Sequence, residues 1–232
     1  MSNFFKNKVK CVVLCAGKGS RLEESHLPKS MVMVKNKPII YYIIKFWQKF
    51  TDEFIFVVGY KKEKIIEYVK NLNIKSEFVE QTELKGIGYA VSLIKDYVGK
   101  KFIVVLGDCI CKGKFYFPEE MHQGIGVWET DKDEDIKRSY SVEIEKEIVV
   151  KVVEKPKILI NNLCGMGFYF FDKIVFDYIK ITPPSPLRNE IEITDVIQKM
   201  IDNGEVIKPV FFKGFYINIT FKEDLFIAEK NI

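Results

Sequence analysis

Short apolar runs alternate with segments of helical periodicity through the first half of the chain. The runs predict strands at 10–15, 54–59, 76–80 and 102–106, and the spacing between them predicts helices at 39–50, 63–71 and 89–97. This alternation favours a largely parallel sheet covered by helices on both faces, with ligand groups at the carboxyl ends of the strands. We therefore expect Gly17, Gln81 and Asp108 to lie together at that edge.

The second half of the chain has a different pattern. Short alternating runs predict strands at 124–129, 140–145, 148–154, 165–171, 206–212 and 215–219 and helices at 190–200 and 221–230. The charged stretch 130–137 is interpreted as a solvated loop. Thr220, with Glu223 three residues later, predicts a capping box for the last helix.

Composition limits the classes of protein that remain. With 232 residues and 47% hydrophobic residues, the chain can bury a full core, and we expect a single domain with halves at about 1–110 and 111–232. A net charge of +4 is too small to indicate nucleic-acid or membrane binding. Five cysteines without a Cys-x-x-Cys pair predict reduced, structural thiols, and three of them lie in predicted buried strands or at strand ends. No run approaches eighteen apolar residues, so we expect a cytoplasmic protein. As a separate expectation, the protein is a monomer or a homodimer.

The first strand runs directly into a glycine-rich loop, Ala16-Gly17-Lys18-Gly19-Ser20-Arg21-Leu22, followed by Pro28-Lys29-Ser30. Two glycines flanking one residue let backbone N–H groups turn toward a phosphate, while Arg21 and Lys29 add positive charge. It is not a Walker loop, because Gly19 stands where Ser or Thr is needed, and Leu22 replaces the third glycine of a dinucleotide fingerprint. The loop predicts binding of a nucleoside triphosphate.

The loop signature and its downstream Pro-Lys resemble those of the nucleotidyltransferases that make NDP-sugars and related activated phosphates. The resemblance implies a three-layer, Rossmann-like α/β fold with a mixed, mostly parallel sheet and a small β-rich lobe that binds the acceptor. It makes the first half of the chain the nucleotide-binding half. It implies that Arg21 and Lys29 are catalytic, and that the nucleotide contacts Leu14, Ala16, Gly17, Gly19 and Ser20.

Two positions are candidate metal ligands. Asp108 ends an apolar strand, where a carboxylate can hold a divalent cation between two phosphates, and the family's metal-binding Asp occupies this motif. Asn218 stands where the family usually has a second acid, and the N-acetylglucosamine-1-phosphate uridylyltransferase branch is similar in using Asn. The resemblance implies Mg²⁺ as cofactor. The alternative is that Asn218 only satisfies a strand end.

Later motifs extend the resemblance over nearly the whole chain. Glu154-Lys155-Pro156 matches a family motif in which the Glu faces the acceptor and the Lys binds its phosphate. Gln81 and Gly86 resemble the pyrimidine-recognition segment, although a Gln amide cannot by itself distinguish cytosine from uracil. The segment 188–195 is similar to one in UDP-glucose and dTDP-glucose pyrophosphorylases.

Departures from the family pattern bear on the substrates. Ser141 replaces a glycine that lets a hexose approach the backbone, and we expect it to contact the acceptor. Ser30 directly follows Pro28-Lys29, and a serine at this position resembles the pattern of the cytidylyltransferases that activate phosphocholine. With Asn218, these residues favour transfer of CMP from CTP to a small phosphorylated acceptor, with release of pyrophosphate, for surface-glycan or capsule decoration. A UTP-dependent sugar-1-phosphate uridylyltransferase and a non-catalytic nucleotide-binding regulatory module remain open.

Overall fold

The structure is a computed structural model that describes residues 2–6, 8–19, 22, 26–186 and 188–232. Ser20, predicted to contact the nucleotide, and Arg21, predicted to be catalytic, lie outside the described residues. The strands are β1 (Lys10–Leu14), β2 (Met33–Val34), β3 (Lys37–Pro38), β4 (Glu53–Val58), β5 (Lys75–Glu80), β6 (Lys101–Leu106), β7 (Cys109–Tyr116), β8 (Gln123–Glu129), β9 (Tyr140–Glu145), β10 (Ile148–Glu154), β11 (Leu163–Asp172) and β12 (Ile207–Asn218). The helices are α1 (Ile39–Trp47), α2 (Lys62–Lys70), α3 (Ile87–Ser92), α4 (Asp133–Arg138), α5 (Val175–Ile181), α6 (Ile193–Asp202) and α7 (Lys222–Asn231).

Ten of the strands form one mixed sheet. The main row has the order β5-β4-β1-β6-β11-β8-β12-β7, and the β9–β10 hairpin joins it through β11. The pairs from β5 to β6 are parallel, as is β8 with β12, whereas β11 is antiparallel to both β6 and β8. The mixed, mostly parallel sheet confirms the predicted fold class, and the β9–β10 hairpin extends it beyond the main row.

Apolar residues cover both faces of the sheet. Val12 and Val13 are neighbours in β1, and their side chains point to opposite faces of the sheet. Both are completely buried, Val13 in the apolar cluster around Trp47 and Val12 in the cluster around Phe102. Helices α1 and α2 contribute to the cluster around Trp47, and α3, α5 and α6 contribute to the cluster around Phe102. Because strands covered on both sides are apolar at every position, β1, β4 and β6 have continuous runs of hydrophobic residues. The result is the expected three-layer arrangement.

The charged stretch 130–137 is not a loop throughout, because it contains most of α4. Ile136 is the buried residue of this short helix. The acids of its first turn and the bases of its last turn both compensate the helix dipole. Lys137 also forms an ion pair with Asp133, four residues earlier, at 3.7 Å. With one apolar residue per two turns, the sequence carried no amphipathic pattern that would predict a helix.

The two strands predicted at 206–212 and 215–219 are one strand, β12. Gly214 lies within it at φ +138°, and a Cβ atom there would be 2.4 Å from the carbonyl oxygen of Lys112. The strand therefore continues through a glycine that suggested a break. Its carboxyl end leads into α7, where Asp224 rather than Glu223 accepts bonds from the backbone N–H groups of Thr220 and Phe221, both at 2.8 Å.

Besides α4, the described elements β2, β3, β7 and α5 have no counterpart in the sequence prediction. All five cysteines are buried and, as predicted, none forms a disulfide. Among the described residues, no helix combines the length and the hydrophobicity needed to cross a membrane.

Candidate active site

A cavity of about 300 Å³, here called the loop cavity, lies at the carboxyl ends of β1 and β6. Its wall includes Gly17, Lys29, Gln81, Gly86 and Asp108. Parallel strands end at the same edge of a sheet, so segments far apart in sequence meet there. The structure thus brings together Gly17, Gln81 and Asp108, and the predicted residues Leu14 and Ala16 also line this cavity.

The two glycines of the loop differ in their surroundings. A Cβ atom on Gly17 would meet no atom of the described residues within 4 Å. Gly19 has φ +64°, and a Cβ atom there would lie 2.7 Å from Cβ of Lys29. Gly19 is therefore required by the fold of the loop, because a side chain would be strained and would collide with Lys29. Gly17 instead leaves space open on the side of the cavity.

Gln81 is buried and held from two sides. Its backbone N–H donates to the carbonyl of Val58 at 2.7 Å, and its Nε2 donates to the carbonyl of Glu83 at 3.0 Å. The second bond orients the side-chain amide in the cavity wall. Gly86 has φ +95°, and a Cβ atom there would lie 2.6 Å from the carbonyl oxygen of Ile191. The N–H of Ile191 in turn donates to the carbonyl of Lys85 at 2.9 Å, so this loop is bound to the segment that precedes α6.

A second cavity of about 520 Å³, the strand cavity, adjoins the first. Both are lined by Gly17, Lys29, Asp108 and Glu192, so they meet at these side chains. The strand cavity is also lined by the predicted acceptor residues Glu154 and Lys155 and by Asn218. Gly19 also lines it. The arrangement therefore provides two adjoining compartments with Asp108 at their junction.

Asp108 is bound at both carboxylate oxygens. Lys29 forms an ion pair with its Oδ2, and the Cys109 thiol donates to its Oδ1 with Sγ at 3.6 Å. Behind the thiol, the Tyr216 hydroxyl lies 3.3 Å from Cys109 Sγ and accepts a 3.0 Å bond from the N–H of Gly167. Burial and the nearby charge of Asp108 raise the pKa of Cys109 well above its usual value. The thiol therefore keeps its proton and remains a donor.

Asn218 lies beside Asp108 at the end of β12. Its register partner is Cys109, and the next residue, Ile219, donates its N–H to the carbonyl of Asp108 at 2.9 Å. Asn218 Oδ1 is buried and has no hydrogen-bond partner among the described residues. A buried acceptor without a partner is costly, and a cation would satisfy it. Two protein oxygens suit a hard divalent ion such as Mg²⁺, which usually completes its shell with water and substrate phosphates. Within the described parts of the chain, no group of three His, Cys, Asp or Glu residues forms an alternative site.

Glu154 and Lys155 form a polar wall of the strand cavity. Lys155 Nζ lies 3.2 Å from Glu154 Oε1, and the Thr194 hydroxyl donates to Glu154 Oε2 at 2.8 Å. Burial raises the pKa of Glu154 above its usual value. Lys155 has φ +43°, and its N–H donates to the carbonyl of Ser139 at 2.8 Å. The wall thus presents one cation and one carboxylate side by side.

Glu192 is a functional candidate that the sequence analysis did not single out. Its side chain is only 6% exposed, although it lines both cavities, and Arg188 Nη1 lies 3.5 Å from its Oε1. Burial, followed by the charge of Glu154, raises the pKa of Glu192 to about 7. Glu192, Thr194 and Arg188 all belong to the segment 188–195 noted for its resemblance. The sequence offered no signal for which of its acids is buried.

Ser141 is not among the residues that line either cavity. It is buried in β9, in register with Cys164 of β11 and Val153 of β10. Because side chains alternate along a strand, its neighbour Tyr140 points the other way and lines the strand cavity. The prediction that Ser141 contacts the acceptor therefore gains no support from its position. Ser30, by contrast, is 2% exposed and forms part of the wall of the loop cavity.

The chain is similar to known proteins in family, in sequence and in fold. The model of the family described as "Nucleotidyl transferase" matches residues 10–218. UTP--glucose-1-phosphate uridylyltransferase AglF of Haloferax volcanii is 30% identical over 235 residues, which cover 97% of this chain and 96% of AglF. Bifunctional protein GlmU of Methanocaldococcus jannaschii is 34% identical over 94% of this chain and 53% of GlmU. The chain therefore spans about half the length of this curated relative.

The fold is shared with solved structures at low identity. A UDP-glucose pyrophosphorylase complexed with UDP-glucose has a TM-score of 0.80 and 22% identity, covering 97% of this chain and 98% of the other. The inositol-1-phosphate CTP transferase from T. maritima has a TM-score of 0.79 and 22% identity, covering 97% and 96%. Nucleotidyl transferases of the matched family generally use a divalent metal, and a nucleoside triphosphate and a sugar phosphate are their typical substrates. The match over most of the chain and the shared fold agree with the resemblance in the glycine-rich loop, and the chain belongs to the nucleotidyl transferase family.

Proposed function

We propose that the chain is a Mg²⁺-dependent nucleotidylyltransferase that joins a pyrimidine nucleoside triphosphate to a phosphate-bearing, hydroxyl-rich acceptor and releases pyrophosphate. The observation that carries this proposal is the position of Asp108 at the junction of two cavities. Gln81 and Gly86 border the loop cavity, Glu154 and Lys155 border the strand cavity, and Gly17 and Lys29 border both. Two substrates lying in these cavities would have their phosphates meet at Asp108.

The reaction needs no side-chain nucleophile. A phosphate oxygen of the acceptor attacks the α-phosphorus in line, the new P–O bond forms, and the bond to the β-phosphate oxygen breaks as pyrophosphate leaves. Lys155 would neutralise the attacking phosphate, and Lys29, with Arg21 of the same loop motif, would neutralise the triphosphate. Catalysis then comes from positioning and charge neutralisation, because two anionic phosphates otherwise repel each other.

Asp108 and Asn218 would hold the metal ion. Bound there, Mg²⁺ would withdraw charge from the phosphate oxygens that it contacts. One carboxylate and one amide carry less negative charge than the acid pair usual in the family. We therefore expect the phosphates of the nucleotide to contribute a large share of the affinity for the ion.

UTP is the favoured nucleotide. AglF, which aligns with this chain over nearly the full length of both, is named for UTP and glucose 1-phosphate. The preference for CTP depended on Ser30, Ser141 and Asn218, and Ser141 does not line the site. CTP stays the second candidate because the Ser30 hydroxyl is buried in the wall of the loop cavity without a partner among the described residues. The buried amide of Gln81 would bind the base in either case.

The acceptor is inferred from the polar wall of the strand cavity. The carboxylates of Glu154 and Glu192 are hydrogen-bond acceptors when ionised, and hydroxyl groups are suitable donors to them. Lys155 beside Glu154 would bind the phosphate of the same molecule. A hexose 1-phosphate combines these groups, and a phosphorylated polyol would do so too. A role in surface-glycan or capsule synthesis stays a prediction from the family resemblance.

The test is Mg²⁺-dependent pyrophosphate release from UTP, CTP, dTTP, ATP and GTP, each combined with glucose 1-phosphate, N-acetylglucosamine 1-phosphate, inositol 1-phosphate and phosphocholine. We expect release with UTP and a hexose 1-phosphate, and its loss in the Asp108→Asn variant. Release only with CTP and a non-sugar phosphate would favour the second candidate. Tight nucleotide binding without release from any pair would instead indicate a regulatory module.

A further inference from the structure

We propose that the Lys29 ammonium occupies the metal position on Asp108 until a triphosphate draws it away, so that metal and nucleotide bind as a coupled pair. This inference rests on the proposed function and concerns the order of events within the same site. Lys29 and Asp108 form an ion pair in which the side chains are only 19% and 22% exposed. Both residues line both cavities, so the pair lies where the two substrates would meet.

The ion pair competes directly with a metal ion. Lys29 contacts Oδ2 of Asp108, whereas Oδ1 accepts a bond from the neutral Cys109 thiol. A divalent ion needs this carboxylate and would be repelled by an ammonium a few ångströms away. In a partly buried site, solvent and salt screen that repulsion only weakly. Asn218 Oδ1 has no partner among the described residues, so the second oxygen is available while the carboxylate is engaged.

The backbone of Lys29 is held in place, and only its side chain can exchange partners. Lys29 opens the short 3₁₀ turn Lys29–Met31, in which the N–H of Met31 donates to Pro28 at 2.8 Å and that of Val32 to Lys29 at 3.1 Å. The following residue, Ser30, is 2% exposed and anchors the turn. The Cβ atom of Lys29 also lies against Gly19 of the glycine-rich loop. A triphosphate bound by that loop would place negative charge beside this side chain and draw the ammonium from Asp108.

This exchange makes the two affinities reciprocal. If the triphosphate removes Lys29 from Asp108, nucleotide must increase metal affinity, and metal must increase nucleotide affinity by the same factor. Replacing Lys29 with a neutral residue removes the competitor, so metal alone should bind more tightly. If Lys29 instead only held Asp108 in its binding geometry, the same replacement would weaken metal binding. The two roles therefore predict opposite signs.

The experiment is a titration with Mn²⁺, in which the EPR signal of the free ion reports binding in the absence of nucleotide. The variants are Lys29→Met and Lys29→Gln, which remove the charge, and Lys29→Arg, which keeps it. Lys18→Met is the matched control, because Lys18 is an exposed lysine of the same loop. Circular dichroism checks the fold of each variant. A second titration adds α,β-imido-UTP, which cannot release pyrophosphate.

We expect Lys29→Met and Lys29→Gln to bind Mn²⁺ alone about tenfold more tightly than the unaltered protein, the size of a charged hydrogen bond converted to affinity. Lys29→Arg and Lys18→Met should stay close to the unaltered protein. The nucleotide analogue should tighten Mn²⁺ binding less in Lys29→Met than in the unaltered protein. Equal or weaker binding of Mn²⁺ by both neutral variants would overturn the proposal. The arm without nucleotide does not depend on which substrates the enzyme uses, so its failure differs from a failure of the proposed function.

Discussion

The Thr194 hydroxyl donates a 2.8 Å hydrogen bond to Oε2 of Glu154 and thereby joins the first turn of α6 to the end of β10. Thr194 is 2% exposed, so solvent cannot replace this bond. Glu154 also lies 3.2 Å from Lys155 on its other oxygen. The carboxylate is thus held by a neutral donor on one side and by a cation on the other, which fixes its direction toward the cavity.

Removing that donor should impair use of the acceptor. Thr194→Val keeps the shape of the side chain but loses the hydroxyl, and a hydrogen bond to a charged group contributes about 1.5–3 kcal/mol. We expect kcat/KM for the acceptor to fall about tenfold or more, with little change in KM for the nucleotide. Thr194→Ser keeps the donor and should remain near the unaltered enzyme. Steady-state kinetics with each substrate varied in turn measures both, and equal values for Thr194→Val would contradict the role given to this bond.

A methyl group at Gly17 should leave the stability of the fold unchanged but weaken binding of the nucleotide. Gly17→Ala places Cβ where the described part of the chain has no atom within 4 Å, so the free energy of unfolding should change by no more than about 0.5 kcal/mol. The methyl group would nevertheless project into space that the triphosphate needs, and KM for the nucleotide should rise about tenfold or more. Gly99→Ala is the matched control, because a Cβ atom there also meets no described residue within 4 Å and Gly99 lines neither cavity. A Gly17→Ala enzyme with unchanged KM would place the phosphates elsewhere.

The Tyr216 hydroxyl should stabilise the fold behind Asp108. Tyr216→Phe leaves the buried N–H of Gly167 without its acceptor and removes the hydroxyl that lies 3.3 Å from Cys109 Sγ. An unsatisfied buried donor costs about 1–3 kcal/mol, and we expect the free energy of unfolding in urea to fall by that amount. Tyr116→Phe, at an exposed tyrosine, should change it by less than about 0.5 kcal/mol. The proposal for Tyr216 fails if the two variants unfold at the same urea concentration.

Glu192 should make stability depend on pH between about 4.5 and 7. Its pKa is raised from 4.5 to about 7, chiefly by burial. In this window the folded state keeps a proton that the unfolded chain has lost, so the free energy of unfolding falls as the pH rises. The full stability is present below the unfolded pKa, and the loss is complete above the folded pKa.

The variant Glu192→Gln tests this pH dependence because it imitates the protonated acid at every pH. We expect it to be more stable than the unaltered protein near pH 8, by on the order of 1–3 kcal/mol, and to match it near pH 4. Urea unfolding at the two pH values measures the difference. Glu145→Gln, at an exposed acid of β9, should show no such change. A Glu192→Gln protein that is less stable at high pH would show that the ionised form is favoured instead.

The sequence predicted the parallel strands and the glycine-rich loop well because both depend on local patterns. β1, β4 and β6 are buried on both faces and carry continuous apolar runs. β7 was missed because its middle residues, Lys112-Gly113-Lys114, interrupt the apolar pattern and are exposed. Gly214 indicated a break between two strands. However, β12 pairs with β7 along the whole length of β7, so the strand is continuous through this glycine.

The sequence indicated which motifs form the candidate site, but it did not indicate which way their side chains point. A strand pattern shows that Tyr140 and Ser141 face opposite sides, but it does not show which side holds the cavity. The burial of Glu192 and its approach to Glu154 depend on packing between α6 and β10, which are distant in sequence. The ion pair between Lys29 and Asp108 likewise joins residues 79 positions apart. Such relationships follow from tertiary structure alone.

The place of β6 between β1 and β11 has a consequence for anyone who would divide this enzyme into two fragments. A fragment ending near residue 110 would keep β6 but lose β11, which pairs with it from Lys101 to Val105. The uncovered backbone would border Phe102–Val105, whose side chains are all completely buried in the intact protein. A bare apolar strand edge is a template for self-association. Split-protein reporters made from this scaffold should therefore be cut outside the β6–β11 pair, at exposed loops that leave both strands in one fragment.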